Sequence, residues 1–147
     1  MSRLPASEAA PQLFDDTAAT FARTLDDLIA LGTFSRGDLI VATAKRLLPN
    51  GGELLDYGCG PGRVNRLLAE QGYCVRAVDF SAAMLAEAHK QSLAGLKIEF
   101  VQLDARHGEE LPSASYDGIV CSNVIEYVPN AQTLLRVFYE SPRPGAC

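Results

Sequence analysis

The amino-terminal third of the chain carries hydrophobic residues at the three- and four-residue spacing of amphipathic helices. This spacing predicts one helix over about Thr17–Leu31 and a second over about Ser35–Leu48. The run Pro49-Asn50-Gly51-Gly52 ends the second helix, because proline and glycine do not continue a helix. Residues 1–13 lack this spacing, and we expect a flexible lead there.

From Glu53 onwards the pattern changes to short apolar runs that alternate with helical spacing. Alternation of this kind predicts right-handed β-α-β units, in which a parallel sheet is covered by helices. The predicted fold class is therefore α/β. The pattern places strands near Glu53–Tyr57, Cys74–Val78, Lys97–Val101 and Gly118–Cys121, and helices near Gly62–Gln71, Ala82–Gln91 and Ala131–Tyr139.

The first predicted strand runs directly into glycines at alternate positions, Gly58, Gly60 and Gly62. Glycine has no Cβ, so such a loop takes left-handed backbone angles and lets a ligand lie against the peptide plane. The spacing is G-x-G-x-G, whereas a dinucleotide fingerprint is G-x-G-x-x-G. The loop favours a cofactor other than a dinucleotide, and its alternative interpretation is a tight strand-to-helix turn that needs glycine for structure alone.

A second landmark is Asp79, which follows the second apolar run and lies 21 positions after Gly58. In nucleoside-binding α/β folds, an acid at about this distance accepts hydrogen bonds from the ribose hydroxyls. Ligands of such folds bind outside the carboxyl ends of the strands, where the loop and Asp79 are expected to meet. Together the two features favour a nucleoside-containing cofactor over a purely structural turn.

These landmarks belong to a longer series that resembles the cofactor motifs of class I S-adenosylmethionine-dependent methyltransferases. The series occurs in the family's order and at similar spacing, and the resemblance covers about Phe14 to Gly145. It is specific for the superfamily and not for a substrate. The motifs are Asp56-Tyr57-Gly58-Cys59-Gly60-Pro61-Gly62, Val78-Asp79-Phe80-Ser81 with Met84, Leu103-Asp104-Ala105, and Tyr116-Asp117-Gly118-Ile119-Val120-Cys121-Ser122-Asn123-Val124.

The resemblance implies a Rossmann-like parallel sheet with strand order 3-2-1-4 and helices on both faces. The crevice between strands one and four would hold S-adenosylmethionine, and the reaction would leave S-adenosylhomocysteine. The glycine loop, with the backbone of Cys59, is expected to pass close to the ribose and methionine portions, and Asp56 to help fix the amino-acid end. Asp79 would accept both ribose hydroxyls. Phe80 and Met84 would flank the adenine, although Met84 also suits a role as a core residue.

The resemblance implies further roles at the ends of the third and fourth strands. Asp104 would accept the adenine amino group, and the backbone N–H of Ala105 would meet a ring nitrogen. Ser122 and Asn123 would line the cavity beside the methyl group. The ring of Tyr127 would cover the sulfonium in a cation–π contact worth about 0.5–2 kcal/mol, or else pack as an ordinary core aromatic.

The chemistry expected of such a site is methyl transfer to an unidentified small-molecule acceptor by in-line displacement. Positioning alone supplies about 7–11 kcal/mol in such reactions, and a general base matters only for a protonated nucleophile. The sequence assigns no catalytic residue: His107 lies in a charged loop, and His89 is on a predicted helix that faces away from the strand ends. No metal-ligand pattern is evident. Phe14-Asp15-Asp16 with Phe21 resembles, more weakly, a segment that folds over the cofactor in many relatives.

Composition limits the function classes. The 147 residues fit one domain, and 48% hydrophobic with 21% charged residues is typical of a globular core. A net charge of −5 argues against a general nucleic-acid binder.

The sequence shows no signal peptide and no run near the ~18 apolar residues of a membrane span, which predicts a cytoplasmic protein without membrane attachment. The four cysteines form no C-x-x-C pair and are interpreted as reduced, apolar residues.

The resemblance also implies that relatives continue past a Pro-Gly turn into three more strands, whereas this chain stops at Pro144-Gly145-Ala146-Cys147. We therefore expect residues 14–147 to form a partial core, a truncated form whose exposed fourth strand favours self-association. Other classes stay open. One is a catalytically silent binding module. A nicotinamide-dependent reductase fits the glycine spacing less well, and an aminopropyltransferase would need extra acids for a polyamine.

Overall fold

The structure, a computed structural model, describes residues 12, 14–24, 36–104, 110–112, 115–122 and 124–141. The predicted lead, residues 1–13, lies outside the described residues apart from Gln12, as does the second half of the first predicted helix. The helices are α1 at residues 14–24, α2 Arg36–Leu47, α3 Arg63–Glu70, α4 Ala82–Gln91 and α5 Ala131–Glu140, and the strands are β1 Glu53–Tyr57, β2 Cys74–Asp79, β3 Ile98–Gln102 and β4 Gly118–Cys121, with a 3-10 turn at Ile125–Tyr127.

The four strands form one parallel sheet in the order β3-β2-β1-β4. In the register, Leu55 of β1 lies between Arg76 of β2 and Ile119 of β4, and Arg76 lies opposite Glu99 of β3. This confirms the predicted α/β class and the predicted strand order. The strand and helix bounds from β1 onwards agree with the sequence pattern to within one residue.

Helices cover both faces of the sheet, and the central strand β1 is buried by both layers. Leu54 packs on one face with α3 side chains such as Leu68, and α2 adds Ile40 at the edge of that cluster. The next residue, Leu55, is fully buried on the other face with Leu134 of α5. Because β1 is covered on both faces, its residues from Leu54 to Tyr57 are all buried, and these include the carboxyl of Asp56.

The topology leaves a crevice at the carboxyl end of the sheet. The chain moves outward from β1 to β2 and β3 and then returns to place β4 on the other side of β1. Loops after β1 and β4 therefore diverge to opposite faces, and open α/β sheets bind ligands at such a reversal. Among the described residues, no helix has both the length and the apolar character needed to cross a bilayer.

Candidate functional site

Two glycines of the loop after β1 allow close contact with other elements. A Cβ on Gly58, whose φ is 74°, would lie 2.1 Å from Cγ2 of Val124 beyond β4. A Cβ on Gly62, with φ 90°, would lie 2.7 Å from the Cβ of Ala88 on α4. These two glycines are therefore explained by packing, because any larger residue would push the loop away from β4 and α4.

Gly60 differs from its two neighbours. Its φ is 53°, and a Cβ built on it would meet nothing within 4 Å. Its N–H donates to Oδ2 of Asp79 at 2.8 Å, so the loop is tied to the end of β2. The positive φ of Gly60 favours glycine, and the open space beside its backbone leaves room for a ligand to lie against it.

Asp79 holds the two loops of the site together. Oδ1 accepts from the backbone N–H of Ser81 at 2.9 Å, and Oδ2 accepts from Gly60. Burial raises the pKa of Asp79, and these backbone N–H groups oppose the rise. The backbone N–H of Phe80 also acts on this carboxylate, and because a carboxylate has about four acceptor positions, Asp79 retains capacity for a ligand hydroxyl. The predicted role with ribose stays a prediction, and the backbone contacts are a structural role that the sequence did not reveal.

Asp56 is almost fully buried, with 3% of its surface exposed. Nδ2 of Asn65, in the first turn of α3, donates to its Oδ2 at 3.3 Å. Burial raises the pKa of Asp56 from 3.8 to about 7, the Asn65 hydrogen bond opposes the rise, and the charge of Asp79 adds to it. The carboxyl therefore sits at the end of β1 as a group that gains or loses a proton near neutral pH.

Asn65 is a site residue that the sequence analysis missed. It is 1% exposed and shares the buried face of α3 with Leu68 and Ala69. A signal was present, since a polar residue occupies a position of the helix where the apolar spacing predicts a core side chain. Buried polar side chains need partners, which points to Asp56 at the neighbouring strand end.

Helix α1 lies against the same end of the sheet. Asp15 accepts a short hydrogen bond from Oγ of Ser81, and its Oδ1 also accepts from the backbone N–H of Ala83 at 3.2 Å. The ring of Phe14 packs edge-on against Tyr127, with centroids 5.2 Å apart. The helix thus contacts the segments that follow β2 and β4, on either side of the crevice.

Other predicted cofactor residues occupy core or rim positions. Phe80 is half-buried and meets Tyr57 edge-on at 6.1 Å. Met84 is 2% exposed on α4, which suits packing and leaves little surface for adenine. Cys59 is buried in the loop, and burial raises the pKa of its thiol well above the ordinary value. The cysteines that the structure describes form no disulfide.

The remaining predicted residues lie along the rim. Ser122 follows β4 and is half-buried, Asp104 follows β3 and is exposed, and Tyr127 is half-buried in the 3-10 turn. Ala105, Asn123 and His107 lie outside the described residues. His89 is exposed on α4, and its ring lies 5.1 Å from that of Phe100 on β3. Within the described ranges, no group of three His, Cys, Asp or Glu side chains has the geometry to hold a metal ion.

The chain matches a family model and curated proteins. The model, described as "Methyltransferase domain", matches residues 54–145. The ubiquinone biosynthesis O-methyltransferases of Pseudomonas savastanoi pv. phaseolicola and Pseudomonas entomophila are 34% and 33% identical over 97 residues. Each alignment covers 65% of this chain and 41% of the relative. The chain thus spans about two fifths of the length of the curated relatives it matches.

Solved structures share the fold. The magnesium protoporphyrin IX methyltransferase from Synechocystis PCC 6803, solved with bound S-adenosylmethionine, aligns with a TM-score of 0.75 at 22% identity and covers 96% of this chain and 74% of that one. An S-adenosylmethionine-dependent methyltransferase from Mesorhizobium loti aligns with a TM-score of 0.57 at 28% identity, over 71% of this chain and 49% of that one.

Proposed function

The chain belongs to the class I S-adenosylmethionine-dependent methyltransferase family, and from this premise we propose that it binds S-adenosylmethionine and supports methyl transfer to a small molecule. The observation that carries the proposal is Gly60, which faces open space and donates to Asp79 at 2.8 Å. Bare backbone beside an acid with spare acceptor positions suits a ribose. Relatives named O-methyltransferases support oxygen as the acceptor atom.

The residues of the crevice fit the parts of this cofactor. Asp79, which keeps acceptor capacity beyond its backbone contacts, is proposed to bind the two ribose hydroxyls. Asp56 offers a carboxyl to the ammonium of the amino-acid end, and the half-buried ring of Tyr127 suits the sulfonium. The adenine is assigned to the side of Phe80, Met84, Asp104 and Ala105. Ser122 and Asn123 are proposed to line the path of the methyl group.

The proposed mechanism rests on positioning. When bound, the cofactor supplies a methyl group on a sulfonium, which is a strong leaving group. The chain's task is to hold the sugar and the amino-acid end at fixed points, through Asp79 and Asp56, so that the methyl group faces the acceptor. Orientation of this kind contributes about 7–11 kcal/mol. Helix α1, which contacts both sides of the crevice through Asp15 and Phe14, is proposed to exclude water.

The proposed acceptor is a small molecule and not a nucleic acid. The net charge of −5 gives the chain no general attraction for phosphates. An oxygen acceptor must lose a proton during transfer, so methylation of a hydroxyl is expected to speed up as the pH approaches the pKa of that hydroxyl. The identity of the acceptor is to be found by screening hydroxylated small molecules for transfer of a labelled methyl group.

Calorimetric titration tests the proposal. S-adenosylmethionine and S-adenosylhomocysteine are expected to bind, and NADH is not. Replacing Asp79 with Ala should weaken both nucleosides by about tenfold or more, because a hydrogen bond to a charged group contributes about 1.5–3 kcal/mol. Asp117 is the matched control: it accepts a backbone N–H from Glu53 at 2.8 Å, at the opposite end of β1. Asp117→Ala should leave affinity unchanged.

The outcomes separate the competing functions. Tight NADH binding would contradict the methyl-donor assignment. Binding of neither S-adenosyl compound would overturn the proposed function altogether. Binding without methyl transfer to any acceptor would favour a catalytically silent module that keeps the cofactor site. An Asp79→Ala variant with unchanged affinity would show that the ribose lies elsewhere.

A further inference from the structure

Asp56 and Asn65 form a buried polar pair on either side of the glycine loop. Nδ2 of the amide donates to Asp56, but Oδ1 of the same amide is buried and receives a hydrogen bond from none of the described residues. A buried acceptor without a donor is costly and rare in folded proteins. The pair therefore lacks one hydrogen-bond donor, at a point where the cofactor's amino-acid end is proposed to lie.

The surroundings of Asp56 oppose a negative charge. The charge of Asp79 at the end of β2 raises the pKa of Asp56, and Asp56 in turn raises the pKa of the thiols of Cys59 in the loop and Cys121 at the end of β4. None of these three brings a positive charge. A carboxyl buried among such groups takes up a proton more readily than one in water, which accords with the pKa of about 7 at Asp56.

The amide of Asn65 suits both protonation states of Asp56. In the structure, an N–H of the amide donates to the carboxylate. After a half-turn of the side-chain amide, its oxygen can instead accept from the O–H of the protonated acid. After the turn, Oδ1 accepts a hydrogen bond from the proton of Asp56 and Nδ2 takes the position that Oδ1 held, so in either state one polar atom of the amide is left for a ligand group. When a cationic N–H group arrives instead, the carboxylate is the better acceptor, and the amide returns to donating.

We propose that Asn65 is a positioning residue that acts through Asp56, and that the pair releases one proton to solvent when the cofactor's ammonium group binds. The inference rests on the proposed binding of S-adenosylmethionine and adds to it a residue and a proton. The O–H bond of the Asp56 carboxyl breaks, the proton passes to the buffer, and the carboxylate oxygen accepts an N–H of the ammonium. No other bond changes.

Proton release is measured by titrating the chain with S-adenosylhomocysteine in two buffers that differ in ionisation enthalpy. We expect about 0.9 proton released per molecule bound at pH 6 and about half a proton at pH 7, as a carboxyl that titrates near neutrality requires. The control ligand is 5′-methylthioadenosine, which keeps the nucleoside but lacks the ammonium, and should release none. Equal heats in the two buffers with S-adenosylhomocysteine would overturn the proposal.

The role of Asn65 is tested with Asn65→Leu, which keeps the side-chain shape and removes the hydrogen bond. Asn65→Ala is the second variant in case leucine prevents folding. Because a carboxylate gains more from a hydrogen bond than an acid does, losing the amide should shift the proton equilibrium toward the acid by about one pH unit. The affinity for S-adenosylhomocysteine should then fall about fivefold at pH 7 and less than twofold at pH 9.

This pH profile separates positioning from damage. The ammonium group of S-adenosylhomocysteine ionises in the same way whether it meets the wild type or the Asn65→Leu variant. The ratio of the two affinities at each pH therefore reports the protonation of Asp56 alone. A loss of equal size at pH 7 and pH 9, or no loss at either, would contradict a role through the carboxyl. Asp56→Asn should abolish proton release. Absence of S-adenosylhomocysteine binding at every pH would overturn the proposed function, whereas binding without proton release would overturn this inference alone.

Discussion

Burial decides the charge of Asp56, and that charge links the site to the stability of the fold. The folded chain raises the pKa of this carboxyl from 3.8 to about 7, chiefly by burial. Between those two values the folded state holds a proton that the unfolded state has lost. The free energy of unfolding therefore falls as the pH rises through this window, by about 1.4 kcal/mol for each pH unit.

Asp56→Asn removes this dependence, because an amide does not titrate. The variant is expected to gain stability relative to the wild type between pH 5 and pH 8, with most of the gain by pH 7. Chemical denaturation of both proteins at several pH values measures the difference. Parallel stability curves across that range would contradict a raised pKa at this position.

Gly60 and Gly72 allow the effect of backbone strain on stability to be separated from the effect of ligand contact on affinity. Both have positive φ, 53° and 94°, and a Cβ on either would meet nothing within 4 Å. Alanine at either position should cost about 1–2 kcal/mol of stability from backbone strain. Only Gly60→Ala should also weaken S-adenosylmethionine, about tenfold or more, because its Cβ would enter the space assigned to the cofactor.

Thermal unfolding and calorimetric titration of the two alanine variants check this expectation. Similar losses of stability, together with weaker cofactor binding for Gly60→Ala alone, would support the assigned space. Equal cofactor affinity in the two variants would mean that nothing lies against Gly60.

Single residues were predictable where the backbone itself requires them. The glycines follow from the need for positive φ, and Asp79 follows from the expectation of an acid at the end of a strand. Both features are visible in a sequence. Asn65 was not predicted, because its partner Asp56 is nine residues away and the contact exists only once β1 and α3 pack. Likewise, the sequence left Met84 open between an adenine contact and a core position, and the structure shows that it is 2% exposed.

Among the elements, α1 is joined to the sheet by few polar contacts. Asp15 accepts from Ser81 and from the N–H of Ala83, in the first turn of α4. Asp16, the next residue, accepts only a surface hydrogen bond from Gln12 among the contacts that the structure shows. Asp15 therefore joins α1 to the segment after β2, whereas the contact of Asp16 is with Gln12.

Asp15→Ala should loosen α1, whereas Asp16→Ala should not. Loss of the Asp15 contacts is expected to cost about 1–3 kcal/mol. Hydrogen exchange at the amides of α1 is the measurement, and faster exchange is expected in Asp15→Ala alone. Equal exchange in the two variants would show that the contacts with α4 do not hold the helix.

Element bounds from β1 onwards were predictable because apolar runs and glycine turns alternate without ambiguity. The contact between α1 and the crevice was only weakly indicated by its resemblance to a covering segment. Helical spacing shows which face of a helix is apolar, but it does not show which partner that face meets. The position of α1 is therefore a property of tertiary packing.

At the scale of the molecule, the sheet has two outer strands of different character. β3 carries the exposed residues Glu99 and Gln102, whereas β4 reads Gly-Ile-Val-Cys and has no charge. Outer strands without charge pair readily with other chains. Self-association through β4 stays a prediction.

Sedimentation over a range of concentrations tests this prediction. We expect the average mass of the 147-residue chain to rise with concentration. A monomer at every concentration would contradict pairing through β4.

The alternating pattern predicted the α/β class and the parallel sheet, whereas the strand order and the crevice followed from the family resemblance. The acceptor did not follow, since substrate recognition depends on side chains that no shared motif specifies. The cofactor site is thus the part of the function that the fold itself constrains.

The central claim is that a nucleoside lies between the ends of β1 and β4, with its sugar bound by Asp79. A crystal structure of the chain with S-adenosylhomocysteine tests it most directly. The account predicts both ribose hydroxyls within about 3 Å of the Asp79 carboxylate and backbone contact at Gly60. A nucleoside bound at another edge of the sheet, or a ribose turned away from Asp79, would contradict it.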